Sequence, residues 1–164
     1  MRRLLKFLHT LGAIGMMGAL ASLLVLYTFL PTPDVLAEYV RMRQAMGAVA
    51  EWVLLPSLGI VLISGLLSMA WTDGFHSAGW AWAKLATGVL MFEGTLFAVQ
   101  GPLQRGAEQA TQALAGELDP AQIALTMSSE SGSIWIILGV AAANVVLGVW
   151  RPKFGRKRPA RAAT

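Results

Sequence analysis

Residues 7–33 read FLHTLGAIGMMGALASLLVLYTFLPTP, and His9 is the one side chain there that can take a charge. A helix needs roughly 20 mostly apolar residues to cross about 30 Å of hydrocarbon, and this stretch suffices. Three more follow. Trp52–Thr72 has no charged residue, and neither does Ser131–Trp150. Between them, Gly79–Gly101 is apolar around Lys84 and Glu93. Unsatisfied backbone is too costly in lipid for anything but helices or a closed barrel. These runs are too long and continuous for barrel strands. The expectation is an all-α, polytopic membrane protein: a bundle of four transmembrane helices at about 5–30, 44–71, 79–100 and 132–150. Residues 1–154 then form the membrane domain and 155–164 a basic cytoplasmic tail.

Composition agrees. Of the 164 residues 55% are apolar and 13% charged, against about 25% charge in a soluble domain. The mean hydropathy is +0.58. A soluble α/β enzyme is excluded, and so is bulk disorder, which needs charge-rich chains poor in aromatics. The absence of cysteine removes disulfides, thiolate metal sites and covalent haem attachment. It leaves b-type haem open, because that cofactor needs only side-chain axial ligands.

Charge orients the bundle. Arg2, Arg3 and Lys6 at the start and Arg151, Lys153, Arg156, Lys157, Arg158 and Arg161 at the end make nine of the 13 basic residues. An even number of spans puts both tails on one side. The positive-inside rule makes that side the cytoplasm of a bacterial inner membrane. The opposite loops hold Asp34, Glu38, Glu108, Glu117, Asp119 and Glu130, with Arg41, Arg43 and Arg105. Trp71, Trp80, Trp82 and Trp150 fall at the inner boundary and Trp52 and Trp135 near the outer one, where amphipathic rings settle. The basic tail is expected to touch anionic lipid rather than nucleic acid. The start also follows signal-peptide grammar, with Ala19-Leu20-Ala21 as a cleavage-like site. The apolar run continues to Leu30, beyond a normal signal core, so an uncleaved first helix is expected. Residues 101–131 form the longest connection, either a solvated linker or, over Gln104–Ala115, a short interfacial helix. Asp119-Pro120 has the form of a helix start.

Within the spans, Gly15 with Ala19, Gly18 with Ser22, Ser64 with Ser68 and Gly139 with Ala143 are small-residue pairs that let helices approach. Pro56 should kink the second helix, and Asn144 should face a partner.

Ionisable groups at membrane depth are functional candidates. At about 1.5 Å per residue, His9 and Lys84 lie at similar depth near the inner boundary. Glu51 and Glu93 share a level roughly 10 Å from the outer one. Two clusters follow. The inner one is His9 and Lys84, with His76 as a lid from the loop. The outer one is Glu51 and Glu93, with Arg41 or Arg43 as counter-charge and Glu130 at the rim. Two carboxylates at one depth would favour a shared proton. Plainer roles exist for three of them: Lys84 can snorkel to the headgroups, His9 can be an interfacial polar residue, and Glu51 can be a packing acid, whereas Glu93 is too deep to snorkel easily. Histidine is also the usual protein ligand of b-type haem, and Met16, Met17, Met69 and Met91 offer thioethers.

At these residues the chain resembles the HemJ-type protoporphyrinogen oxidase family and its wider relatives, which include CopD-like domains and uncharacterised bacterial membrane proteins. Leu5-Lys6-Phe7-Leu8-His9 is similar to the family's Lys-x-Leu-His opening. Pro56 with Ser64-Gly65-Leu66 resembles its second-helix pattern, and Trp80, Trp82 and Lys84-Leu85 its third-helix Trp and Lys-Leu signature. Glu130 and Arg151-Pro152-Lys153-Phe154 resemble its closing motifs. The likeness runs from about residue 4 to residue 154. The segment Ala21–Tyr27, ASLLVLY, differs from the family's Tyr-Leu-Pro-Arg continuation.

The resemblance implies haem b on His9, metal-bound through its imidazole, and an essential Lys84 suited to a porphyrin propionate. It also implies oxidation of protoporphyrinogen IX or a related donor, with an acceptor in the respiratory membrane. Two other functions are compatible with the residues. One is a non-catalytic accessory subunit of a larger membrane complex. The other is a small proton-coupled transporter using Glu51 and Glu93, for which so short a chain would need to form a homodimer.

Overall fold

The fold comes from a computed structural model that describes residues 2–72, 79–123 and 128–150. Every described element is helical. The helices are α1 (Arg2–Thr28), α2 (Leu36–Ala70), α3 (Gly79–Leu114), the four-residue α4 (Pro120–Ile123) and α5 (Ser128–Trp150). α1, α2, α3 and α5 are long and apolar enough to span a bilayer, so the chain is a four-span membrane protein.

Two helices are much longer than expected. α2 begins at Leu36 rather than 44, and α3 runs to Leu114 rather than 100. At 35 and 36 residues each is over 50 Å long, well beyond a hydrocarbon core of about 30 Å. The extra turns are amphipathic, which a search for apolar spans passes over. In α2 the buried positions are Tyr39, Val40, Arg43, Met46 and Gly47, and in α3 they are Leu103, Gly106, Ala110 and Ala113. Both sets follow the three-and-four spacing of one helical face. The two faces pack together as an antiparallel hairpin that extends the bundle. Residues 101–114 are therefore a continuation of α3 instead of a linker. Leu114 faces outward at 53% exposure, so the buried stripe passes through Ala113.

α3 stops at Gly116, whose φ of +79° is the left-handed conformation glycine tolerates. The Glu117 amide donates to Gln112 O at 2.9 Å and the Gly116 amide to Ala113 O at 3.0 Å, which together close a Schellman turn. Asp119 then caps α4, accepting from the Ala121 amide at 2.9 Å, as Asp119-Pro120 led one to expect.

A proline interrupts the regular hydrogen bonding of both long helices in the same way. Pro56 follows a π-helical turn over Ala50–Leu54, and Pro102 follows one over Leu96–Gln100. A proline ring collides with the carbonyl four residues back and removes one donor. A widened turn at that spot absorbs both effects without ending the helix. The offset is the same in both helices, and the two π turns touch.

The apolar core runs through Met16, Leu20 and Leu23 of α1, Leu54 and Leu58 of α2, Met91, Val99 and Leu103 of α3, and Ile134 and Ile137 of α5. A smaller cluster of Tyr39, Val40, Ala110, Ala113 and Ile123 fills the hairpin extension. α1 and α2 cross closely: a Cβ on Gly12 would lie 2.8 Å from Ser57 O, and one on Gly15 would overlap the Ser57 hydroxyl. Gly18 and Gly139 face open space, so those two take no part in close helix contact. Asn144 does find a partner. Thr87 donates to its Oδ1 at 2.8 Å, and its amide reaches Met91 Sδ at 3.5 Å.

Candidate functional site

Side-chain register sets what meets what. α1 runs antiparallel to the second half of α2, with His9 beside Gly65, Gly12 beside Val61 and Gly15 beside Ser57. α3 runs antiparallel to α5, with Lys84 beside Gly148, Thr87 beside Asn144 and Gly94 beside Ile137. These two registers bring His9 and Lys84, 75 positions apart in sequence, to the walls of one cavity of about 540 Å³.

The cavity sits between the four spans at the end where α1 begins and α5 ends. α1 contributes Lys6, His9 and Thr10 to it, α2 Val61, Gly65 and Ser68, and α3 Trp80, Ala81 and Lys84. Gly148 closes the α5 side, Met69 of α2 adds a thioether, and Trp71, just past the end of α2, adds an indole. Met16 and Met91 are instead buried in the core. Its size lies within the roughly 300–1,000 Å³ range of small-molecule sites.

His9 is held by one nitrogen. Its Nδ1 lies 3.0 Å from Val61 O and 3.1 Å from Ser64 Oγ. A carbonyl only accepts, so Nδ1 must carry the proton. Ser64 directs its own proton to Ile60 O at 2.5 Å or Val61 O at 3.1 Å and can accept from the imidazole. In the neutral ring Nε2 then keeps its lone pair, and among the described residues no hydrogen bond involves it. Tying Nδ1–H to a backbone carbonyl is how proteins orient a metal-binding imidazole and raise its basicity. Gly65 faces the ring: a Cβ there would lie 3.5 Å from His9 Cε1, in ordinary van der Waals contact.

Lys84 is half-buried and extends to the α5 backbone, where a Cβ on Gly148 would come 2.7 Å from Nζ. His76, the expected lid, lies outside the described residues. Among the described residues no three of His, Cys, Asp or Glu cluster as a metal site. A single imidazole suits iron already held by a macrocycle.

The outer pairing differs from expectation. Glu51 and Glu93 are both exposed, and no hydrogen bond or ion pair joins them. Glu51 sits on the π turn beside Trp52, which is 74% exposed. The buried acid is Glu130 and its partner is Arg43, at 4% and 1% exposure, with Arg43 Nη1 2.6 Å from Oε2. Tyr27 also donates to that oxygen, and Arg43 Nε donates to Tyr39 Oη at 2.9 Å. The guanidinium lies 5.4 Å from the Tyr39 ring centroid and 5.8 Å from that of Tyr27. Arg41, the other candidate counter-charge, turns back to its own helix at Ala37 O. One signal pointed here: the chain has two tyrosines, and both stand in this knot. Nothing local in the sequence marked Val61 O, Ser64, Gly65 or Gly148 as supports of the cavity, because each matters through a neighbour on another helix.

A scan against models of protein families matches none, and comparisons with curated proteins and with solved structures likewise find no match. The chain is thus characterised by its own geometry: a four-span bundle with a closed polar knot at one end and a basic, partly apolar cavity at the other.

Proposed function

We propose that this chain is a haem b-binding redox protein of the bacterial inner membrane, with both termini cytoplasmic. The observation that carries the proposal is the cavity shared by His9 and Lys84, with His9 Nδ1 tied to Val61 O so that Nε2 keeps a lone pair. In this role His9 would hold the iron through Nε2, and Lys84 would hold a propionate, where an ammonium suits a carboxylate. Trp71, Trp80, Leu62 and Leu85 supply apolar and aromatic surface for a flat macrocycle. The haem, when bound, supplies one-electron exchange with a donor and with an acceptor in the membrane. Ser64 and Val61 keep the imidazole in one tautomer. The resemblance to the HemJ-type family supports the same assignment. The nine basic residues on the two tails support the orientation.

The test is an absorbance spectrum of the chain purified in mild detergent, oxidised and reduced. A Soret band that is lost in His9→Ala, while the helical content is retained, is the expected result. A colourless wild-type protein that fails to take up added haem would overturn the proposal.

A further inference from the structure

The cavity's charge is one-sided. Three basic side chains line it, Lys6, His9 and Lys84, and among the described residues no acidic one does. Lys6 and His9 are one turn apart on α1, the spacing at which two side chains share a helical face. Thr10, on the same face, donates its hydroxyl back to Lys6 O at 2.9 Å. The Lys6 ammonium itself makes no ion pair or hydrogen bond among the described residues. It stands exposed at the rim, one turn nearer the chain start than His9. The walls facing α1 carry apolar Val61, Leu62 and Leu85 beside Ser68 and Lys84. A cationic rim above an apolar slot matches an amphiphile whose acidic groups project toward the surface.

We propose that Lys6 is a second anion subsite, so that the cavity selects a planar amphiphile bearing two carboxylates over its neutral counterpart. This rests on the haem-binding proposal and adds specificity to it: Lys84 serves one acidic arm and Lys6 the other. Lys6 is exposed, so water screens its contribution, which is smaller than that of a buried pair.

The experiment titrates the full-length protein, in zwitterionic detergent, with haem b and with haem b dimethyl ester, whose propionates are uncharged. Wild type should bind the free acid about tenfold more tightly than the ester or better, as charge-assisted contacts predict. Lys6→Gln should weaken free-acid binding by about three- to tenfold and leave ester binding unchanged. Lys6→Arg should restore the preference, which shows that charge at this position matters rather than side-chain packing. Equal affinity of wild type for the two ligands would overturn the inference, and so would a Lys6→Gln effect of equal size on both. Loss of the preference on adding phosphatidylglycerol would also overturn it, by making Lys6 a lipid-headgroup contact. In these three cases the Soret band persists and the haem assignment stands. Absence of the band with either ligand defeats both proposals together.

Discussion

Arg43 and Glu130 meet at 2.6 Å at 1% and 4% exposure, and the chain's two tyrosines cover them. At the far end of the bundle His9 and Lys84 are half-buried and line an open cavity. Both regions place ionisable groups among apolar helices, yet they differ in what their polar atoms meet. In the knot, the guanidinium and the carboxylate bind each other and the tyrosine hydroxyls. In the cavity, one imidazole nitrogen is anchored and the other has no hydrogen bond among the described residues. A buried charge persists when its partner is built in. An anchored base beside a cavity instead has its remaining capacity available to a ligand. The contrast separates structural polarity from ligand-binding polarity within one small bundle.

The largest effect expected from this contrast is on stability. Arg43→Ala leaves the Glu130 carboxylate buried without its cation and should cost about 3–5 kcal/mol. Removing both charges, in Arg43→Met with Glu130→Leu, should cost less than the single change. Reversible unfolding in mixed micelles would measure both. A negligible cost for Arg43→Ala would show that the knot is solvated and is not a structural pin.

Two glycines give the next test, because each lies against a cation. A Cβ on Gly106 would come 3.1 Å from Arg43 Cζ and Nη1. That guanidinium is held by Glu130 and Tyr39 and cannot yield, so Gly106→Ala should destabilise by about 1–2 kcal/mol. At Gly148 the obstacle is the far end of the Lys84 chain, which can swing aside. Gly148→Ala should therefore change stability by less than about 0.5 kcal/mol, while weakening haem affinity several-fold. Equal stability losses at both glycines would erase the distinction between the two ends.

Smaller effects sharpen the picture between them. Thr95 is fully buried, and its hydroxyl has no hydrogen-bond partner among the described residues. Thr95→Val removes that unmet donor at constant shape and should be neutral or stabilising by up to about 1 kcal/mol. A loss of more than that in the unfolding assay would mean the hydroxyl has a bound partner. Glu51→Gln and Glu93→Gln, at exposed positions, should each shift stability by less than about 0.5 kcal/mol. Proton-coupled uptake into vesicles that is abolished by Glu93→Gln would instead favour the transporter alternative.

Helices were the most legible part of the chain. The apolar windows located four spans because length and continuity alone satisfy the membrane's demand on the backbone. Their extensions were hidden, since Leu36–Val49 and Gly101–Leu114 carry polar residues on one face and bury the other against neighbouring helices, each other above all. The shared depth of His9 and Lys84 followed from counting residues. The same counting put Glu51 and Glu93 at one level, yet both are exposed and no hydrogen bond joins them, because depth says nothing about which way a side chain points around its helix.

Composition, apolar run length and charge placement therefore determined a four-span helical membrane protein and nominated the imidazole and ammonium near its terminal end. These are one-dimensional properties, and the bilayer reads them without regard to neighbours. Which acid pairs with Arg43, which glycines seat a cation and which nitrogen of His9 stays available were decided only by helix register and rotation. Those quantities arise from close packing between segments dozens of residues apart, and no local window of the chain contains both partners.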